Sequence, residues 1–176
     1  MSINTILTDI GIQSVFNANN LGFEAEISHI AFGDGGYAPS YTATALQSEK
    51  QRVMVAGGER QGAKQIQLTA KLTGDIEFWV REVGVFLNDG TLLALYSDPV
   101  KTLGYKAAGI DFLTSFDLVL DRLPDDSVTF TVDGNNLNLS LAEPLIQSAV
   151  AHTKLAAITI KMLQRQFHFE KTLEGA

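Results

Sequence analysis

The sequence has no cysteine, so neither a disulfide framework nor thiolate chemistry is available to it. It also has no cluster of Lys and Arg, and its formal net charge is -7. Phosphate binding needs concentrated positive charge, which argues against nucleic acid, or an anionic membrane surface, as the main partner. No run approaches the roughly 18 apolar residues of a membrane span, so membrane insertion is not expected.

The N-terminus has neither a basic start nor a long apolar run, so no signal peptide is visible. We therefore expect a protein that is made in the cytoplasm and is used without export by a secretion signal. The 176 residues, of which 45% are hydrophobic, suit one globular domain of ordinary size with an appendage.

Residues 75–97 contain two β-rich runs separated by N-D-G at residues 88–90, which predicts a hairpin. The first run is apolar on both faces, as is typical of a central strand that is covered on both sides. By alternation, one face would carry Ile76, Phe78, Val80, Gly84 and Phe86, and the other Trp79, Val83, Val85 and Leu87.

Arg81 and Glu82 are set inside this predicted strand. Neighbours in a strand point to opposite faces, so the two charges cannot neutralise each other and each needs its own partner. A structural ion pair with other strands is the favoured interpretation. An anchoring role in assembly is the alternative.

The remaining pattern predicts an α+β fold, with an N-terminal helix over residues 8–19 and six to eight mostly antiparallel strands. A further pattern indicates one or two helical turns over residues 42–49. The predicted strands cover residues 24–32, 50–56, 65–72, 110–120 and 127–132, and the predicted loops and turns cover residues 33–40, 57–62 and 98–109.

Residues 136–176 differ from the β-rich part: a short strand over 136–141 is followed by a predicted amphipathic helix that begins near Pro144. The helix is too apolar to stand alone in water, so we predict oligomerisation or docking through it. The alternative is packing against its own domain, and the mixed seam does not distinguish a dimer from a trimer. The predicted a/d seam consists of Ile146, Ala149, Thr153, Ala156, Ile160, Leu163 and Phe167.

No catalytic, metal or cofactor site is predicted. His29, His152 and His168 have no further ligand at a metal-site spacing, and His29 is expected to be a hydrogen-bonded structural residue. The G-D-G-G run at residues 33–36 lacks the spacing of a phosphate or dinucleotide loop, and a tight loop is the favoured interpretation.

Four segments in this order resemble the N-terminal domain of phage tail fibre proteins of the tail-collar type. They are T-I-L-T-D-I-G at residues 5–11, S-H-I-A-F-G-D-G-G at 28–36, T-A-L-Q-S-E-K-Q-R at 44–52, and F-W-V-R-E-V-G-V-F at 78–86 followed by N-D-G-T-L-L-A. The signature positions in this sequence are Gly33, Asp34, Gly35, Gly36, Trp79, Arg81, Glu82 and Gly84.

The resemblance implies a structural virion protein without known enzymatic activity. Its residues 1–135 would attach a fibre to the baseplate of a contractile phage or phage-like bacteriocin, and the fibre would be a trimer that extends toward the host. Family members usually continue into a long shaft and a receptor-binding tip. Because this sequence stops after one helix, we expect a short fibre, initiator or connector whose helix bundles the copies or docks a distal fibre protein.

Two other hypotheses remain open. The chain is a receptor-binding module for host glycans if aromatic residues in its predicted loops, such as Tyr37, Tyr41 and Tyr105, lie exposed. It is a glycan hydrolase if it has a cleft with two carboxylates about 5 to 10 Å apart.

Overall fold

A computed structural model describes residues 5–132, which form one helix and eleven strands. In chain order these are β1 (Ile6–Leu7), α1 (Asp9–Asn20), β2 (Ala25–Gly33), β3 (Glu49–Met54), β4 (Gly57–Gly62), β5 (Gln65–Leu72), β6 (Phe78–Val80), β7 (Glu82–Leu87), β8 (Leu92–Ser97), β9 (Gly104–Lys106), β10 (Phe112–Val119) and β11 (Val128–Phe130).

The strands form three sheets. The largest has the order β1-β8-β7-β2-β11, with β3 also paired to β2. A three-stranded sheet has the order β10-β5-β4, and β6 and β9 form a separate pair. All pairings are antiparallel except that of β11 with β2, so the prediction of a mostly antiparallel β domain with an N-terminal helix is confirmed for the described residues.

The largest sheet is covered by apolar side chains on both faces. One face belongs to the main core, to which β5, β7 and α1 contribute Ile66, Leu68, Val83, Val85 and Val15. The opposite face forms a smaller core of Ala31, Phe86, Leu92 and Leu95, which is covered by Leu46 from the segment between β2 and β3. That segment is therefore part of the packed structure, although it contains no regular element.

Helix α1 begins one residue later than predicted because Thr8 is its N-cap. The Thr8 hydroxyl oxygen accepts a hydrogen bond from the Gly11 amide at 3.0 Å, which satisfies one of the free donors of the first turn. The same hydroxyl donates to the Leu92 carbonyl of β8. The cap therefore also fastens the helix to the largest sheet.

The prediction of one continuous strand before the hairpin is wrong, because the strand ends and restarts at Arg81. β6 and β7 belong to different sheets, and the Arg81 amide donates to the Gly33 carbonyl at 2.9 Å between them. The break shifts the alternation by one residue, so Phe78 and Val80 join the same core as Val83 and Val85, and Trp79 is 52% exposed. An exposed position for Arg81 avoids burying a guanidinium without a partner.

Two further predictions are wrong. Residues 42–48 form no helix; the amides of Gln47 and Ser48 donate to a side chain of β7 instead of continuing helical turns. The polar segment 57–62 is strand β4, because β5 supplies its hydrogen-bond partners and Gly58 fits beneath the ring of Phe130.

The remaining strand predictions are confirmed, with shifted ends. β2, β3, β5, β10 and β11 lie within or beside the predicted ranges, and the N-D-G hairpin joins β7 to β8 with Gly90 at a φ of 84°. The predicted loop 98–109 contains the short strand β9. The predicted strand over 136–141, the C-terminal helix and its seam lie outside the described residues.

Candidate functional site

Glu82, the first residue of β7, is fully buried and joins three parts of the chain. Its Oε1 accepts hydrogen bonds from the amides of Ser48 at 2.7 Å and Gly35 at 3.2 Å. Its Oε2 accepts from the Tyr37 hydroxyl at 2.7 Å and the Gln47 amide at 3.0 Å. One carboxylate thus fastens both ends of the segment 34–48, defined here as the anchored loop, to the central sheet.

The interpretation of Glu82 as half of an ion pair is wrong. Within residues 5–132, no cationic side chain lies within 4.0 Å of its carboxylate. Its two carboxyl oxygens instead accept hydrogen bonds from four neutral donors, which satisfies a polar group that would be costly to bury without partners. The chain therefore uses Glu82 as an acceptor for backbone and tyrosine donors.

The glycines around Glu82 leave room for this arrangement. A Cβ on Gly33 would contact the Ser48 carbonyl and the Glu82 carboxylate, and a Cβ on Gly35 would lie 2.7 Å from Glu82 Oε1. The absence of a side chain at Gly84 makes room for Leu46 of the anchored loop. Gly33 and Gly35 of the G-D-G-G run thus pack closely on the Glu82 carboxylate, with Gly33 ending β2 and the predicted loop beginning at Asp34.

Arg81, the residue before Glu82, is exposed, and its side chain lies next to an exposed pair of aromatic rings. Trp79 and Tyr105 face each other across β6 and β9, with ring centroids 4.9 Å apart and ring planes at 50°. Their side chains are 52% and 43% exposed. Such a tilted pair is a favourable aromatic geometry, and it presents apolar surface to the outside.

Charged side chains surround this pair and enclose a depression of about 480 Å³. Asp34 of the anchored loop forms an ion pair with Lys50 at 3.2 Å, and Glu77 accepts a hydrogen bond from the Tyr105 hydroxyl at 2.9 Å. Seven residues line the depression, and we define the aromatic face as six of them, without the buried Phe78: Asp34, Lys50, Glu77, Trp79, Arg81 and Tyr105.

The depression contains two carboxylates, so the hydrolase hypothesis has to be tested against it. The hydroxyl of Ser48, and next to it Lys50, lower the pKa of Asp34 below its usual range, so this carboxyl stays ionised. A glycosidase needs a general acid of raised pKa. Asp34 does not fit that role, and within residues 5–132 no three His, Cys, Asp or Glu side chains are grouped to hold a metal ion.

The Tyr37 hydroxyl leads to a pH prediction. Burial, and then the neighbouring Glu82 carboxylate, raise the pKa of Tyr37 well above its ordinary value of 10.0. The folded state keeps a proton that the unfolded chain releases near pH 10, so the contribution of this group to stability is complete below pH 10 and is lost as the pH rises further. We expect the free energy of unfolding to fall above about pH 10.

Urea titrations at pH 8 to 11.5, followed by circular dichroism and by tyrosinate absorbance, measure this loss. Tyr37→Phe is the control, because it removes the titrating hydroxyl and keeps the ring. The difference in stability between the wild type and Tyr37→Phe should shrink as the pH rises above 10. A stability difference that stays constant from pH 8 to 11.5 would contradict the raised pKa of Tyr37.

The structure thus divides the predicted signature positions between two sides of the chain. Gly33 and Gly35 pack against the Glu82 carboxylate and Gly84 packs against Leu46, whereas Asp34, Trp79 and Arg81 line the aromatic face. His29 is the structural histidine expected, with its Nδ1 2.8 Å from the Ser28 hydroxyl.

Several members of the site are not apparent from the sequence. Tyr37, Gln47 and Ser48 lie in a segment without regular structure, and Tyr105 lies in a predicted loop. Their only local signal is the run of glycines before Tyr37. The pairing with Glu82 and with Trp79 comes entirely from the way the strands are arranged.

Residues 1–134 match the family model of the N-terminal region of phage tail-collar fibre proteins. The chain belongs to this family. Neither a curated protein nor a solved structure shows a significant match to the chain. The match covers every described element from β1 to β11, so the anchored loop and the aromatic face are parts of the tail-collar fibre domain.

The family places the chain among the structural proteins of phage tail fibres, and so in the tail of a virion. Its domain is not known as an enzyme. In the part of the chain that the structure covers, no helix has the length and hydropathy needed to cross a bilayer.

Proposed function

We propose that this tail-collar fibre domain attaches a fibre to the baseplate of a contractile phage or phage-like tail, in a structural role without catalysis. The observation that carries the proposal is the family match over residues 1–134. A domain with this role must transmit force between two protein bodies without local unfolding. The anchored loop suits that requirement, since four hydrogen bonds to one buried carboxylate stabilise a segment that has no regular structure of its own.

Electron microscopy of particles from the phage or phage-like element that encodes this chain tests the attachment. Particles from a strain with the gene deleted should lack fibre density at the baseplate, and expression of the gene in trans should restore it. Particles labelled with an antibody to the chain should carry the label at the baseplate end. Label at the head, or along the length of the tail tube, would contradict the proposal.

The second part of the proposal is that copies associate, as a trimer, through the helix predicted within residues 136–176. Its support is the heptad seam in the sequence, which extends over three heptads and is apolar at every position except Thr153. Light scattering of the purified full chain should give three times 19.1 kDa. Ile160→Glu, which places a charge in the seam, should reduce the mass toward that of the monomer.

Lys161→Glu is the matched control, because it introduces the same side chain one residue later, off the seam. It should leave the mass unchanged. A wild-type chain that stays monomeric at micromolar concentration would refute self-association. If both variants dissociate to the same extent, the seam has been assigned to the wrong residues.

A further inference from the structure

The aromatic face is an exposed surface of the tail-collar fibre domain with no assigned role. We propose that it is the docking surface for another protein of the tail, which presents a carboxylate side chain next to an apolar or aromatic one. This inference rests on the proposed function, since it names the surface through which the attachment is made.

The residue types on this surface are those that contribute most energy to protein interfaces. Trp, Tyr and Arg are enriched among interface residues whose truncation costs the most affinity, and Trp79, Tyr105 and Arg81 lie together here. Trp79 is the only tryptophan of the chain, and half of its surface is exposed. Covering this ring pair would remove a large apolar area from water.

The surface is also held in place before any partner arrives. Trp79 and Tyr105 are opposite each other in the β6–β9 pair, and the Arg81 backbone is hydrogen-bonded to Gly33. Asp34 lies in the anchored loop, next to residues that Glu82 fastens. Little conformational entropy is then lost on binding, which favours affinity for a given contact area.

The charges on the surface indicate what the partner carries. Asp34 is paired with Lys50, and Glu77 accepts a hydrogen bond from Tyr105. The Arg81 guanidinium has no ion pair and no side-chain hydrogen bond within residues 5–132. The four charges of the surface sum to zero, but the donors of the Arg81 guanidinium are free in the described part of the chain, and a carboxylate of the partner would satisfy them in the planar geometry that guanidinium favours.

A protein partner fits these observations better than a glycan. A sugar ring stacks on a flat aromatic surface, and the two ring planes here meet at 50°. One oxygen of each carboxylate on the face is already engaged, Asp34 Oδ2 by Lys50 and Glu77 Oε2 by the Tyr105 hydroxyl. An acidic side chain flanked by an apolar one matches the free guanidinium and the exposed ring faces.

The test uses purified tail particles that lack this fibre, to which the full chain is added. The amount of chain bound per particle is measured against concentration for the wild type, Trp79→Ala and Arg81→Glu. Each substitution should weaken binding by about tenfold or more, as is usual for central interface residues. Trp79→Phe, which keeps an aromatic ring, should retain part of the binding.

Tyr41→Ala and Arg122→Glu are the matched controls. They change an exposed tyrosine and the arginine 5.4 Å from its ring, a second aromatic and cationic pair that does not line the depression. Both should bind as the wild type does. Because all four positions are exposed, the melting temperature of each variant should stay close to that of the wild type.

Three results would overturn the inference, and they can be told apart. A wild-type chain that does not bind the particles contradicts the proposed attachment itself. Normal wild-type binding that neither Trp79→Ala nor Arg81→Glu weakens places the attachment on another surface. Binding to an array of acidic oligosaccharides that Trp79→Ala abolishes, with particle binding unchanged, makes the aromatic face a carbohydrate site.

Discussion

Replacing Glu82 with alanine is expected to lower the free energy of unfolding by about 4 kcal/mol, enough to unfold a domain of marginal stability. The substitution leaves the amides of Gly35, Gln47 and Ser48 and the Tyr37 hydroxyl without their acceptor. Each buried donor left unsatisfied costs about 1 to 3 kcal/mol, part of which water entering the space recovers. Urea denaturation followed by circular dichroism measures the change.

Graded variants at the same position separate the hydrogen bonds from the packing. Glu82→Gln keeps one acceptor oxygen but turns an NH2 group toward the donors around the other, so we expect a loss of about 2 kcal/mol. Glu24→Ala, at an exposed glutamate, is the control and should change stability by less than about 0.5 kcal/mol. A stable Glu82→Ala protein with an unchanged midpoint would show that the anchored loop does not depend on this carboxylate.

Gly33→Ala is the second substitution with a large expected effect, a loss of about 3 kcal/mol. The added Cβ would meet the Ser48 carbonyl oxygen and Glu82 Oε1. A backbone oxygen cannot move aside as the end of a flexible side chain can, so relief requires a shift of the anchored loop. That shift would also lengthen the hydrogen bonds that Glu82 accepts from it.

Gly36→Ala provides a matched control in the same G-D-G-G run. Its Cβ would lie 3.3 Å from the Asp98 carbonyl oxygen and 3.5 Å from Arg81 Cδ, contacts that small adjustments accommodate. We expect its stability to differ from that of the wild type by no more than about 0.5 kcal/mol. Equal destabilisation by Gly33→Ala and Gly36→Ala would mean that these positions require glycine for its backbone conformation. The close packing of Gly33 on Glu82 would then not explain the effect.

Prediction from the sequence worked where the interactions are local or follow a simple period. The N-cap at Thr8, the N-D-G turn and the alternation of residues 65–72 each depend on neighbours within a few positions, and all three are present in the structure. The sequence also predicts the loop after β2, although Gly33 still belongs to that strand and the close packing of Gly33 and Gly35 on Glu82 is visible only in the structure.

Prediction failed where a distant residue replaces the local interaction. Residues 42–48 carry a helical pattern, yet the Gln47 and Ser48 amides bond to a carboxylate that is 35 and 34 residues away in the chain. The polar segment 57–62 lacks strand propensity, yet it pairs with β5 along its length, with one register shift between Arg60 and Gly62. In both cases tertiary hydrogen bonds outweigh the preference of the segment itself.

Arg81 and Glu82 show which features the sequence predicts and which only the tertiary structure decides. The residue types in residues 75–97 predict a hairpin with two charges in an apolar run, and the match over residues 1–134 shows the phage tail-collar fibre family. Only the tertiary structure decides that the strand breaks at Arg81, because the break depends on Gly33 and β9. At this break Glu82 is buried and accepts hydrogen bonds from the anchored loop, whereas Arg81 is exposed and belongs to the aromatic face.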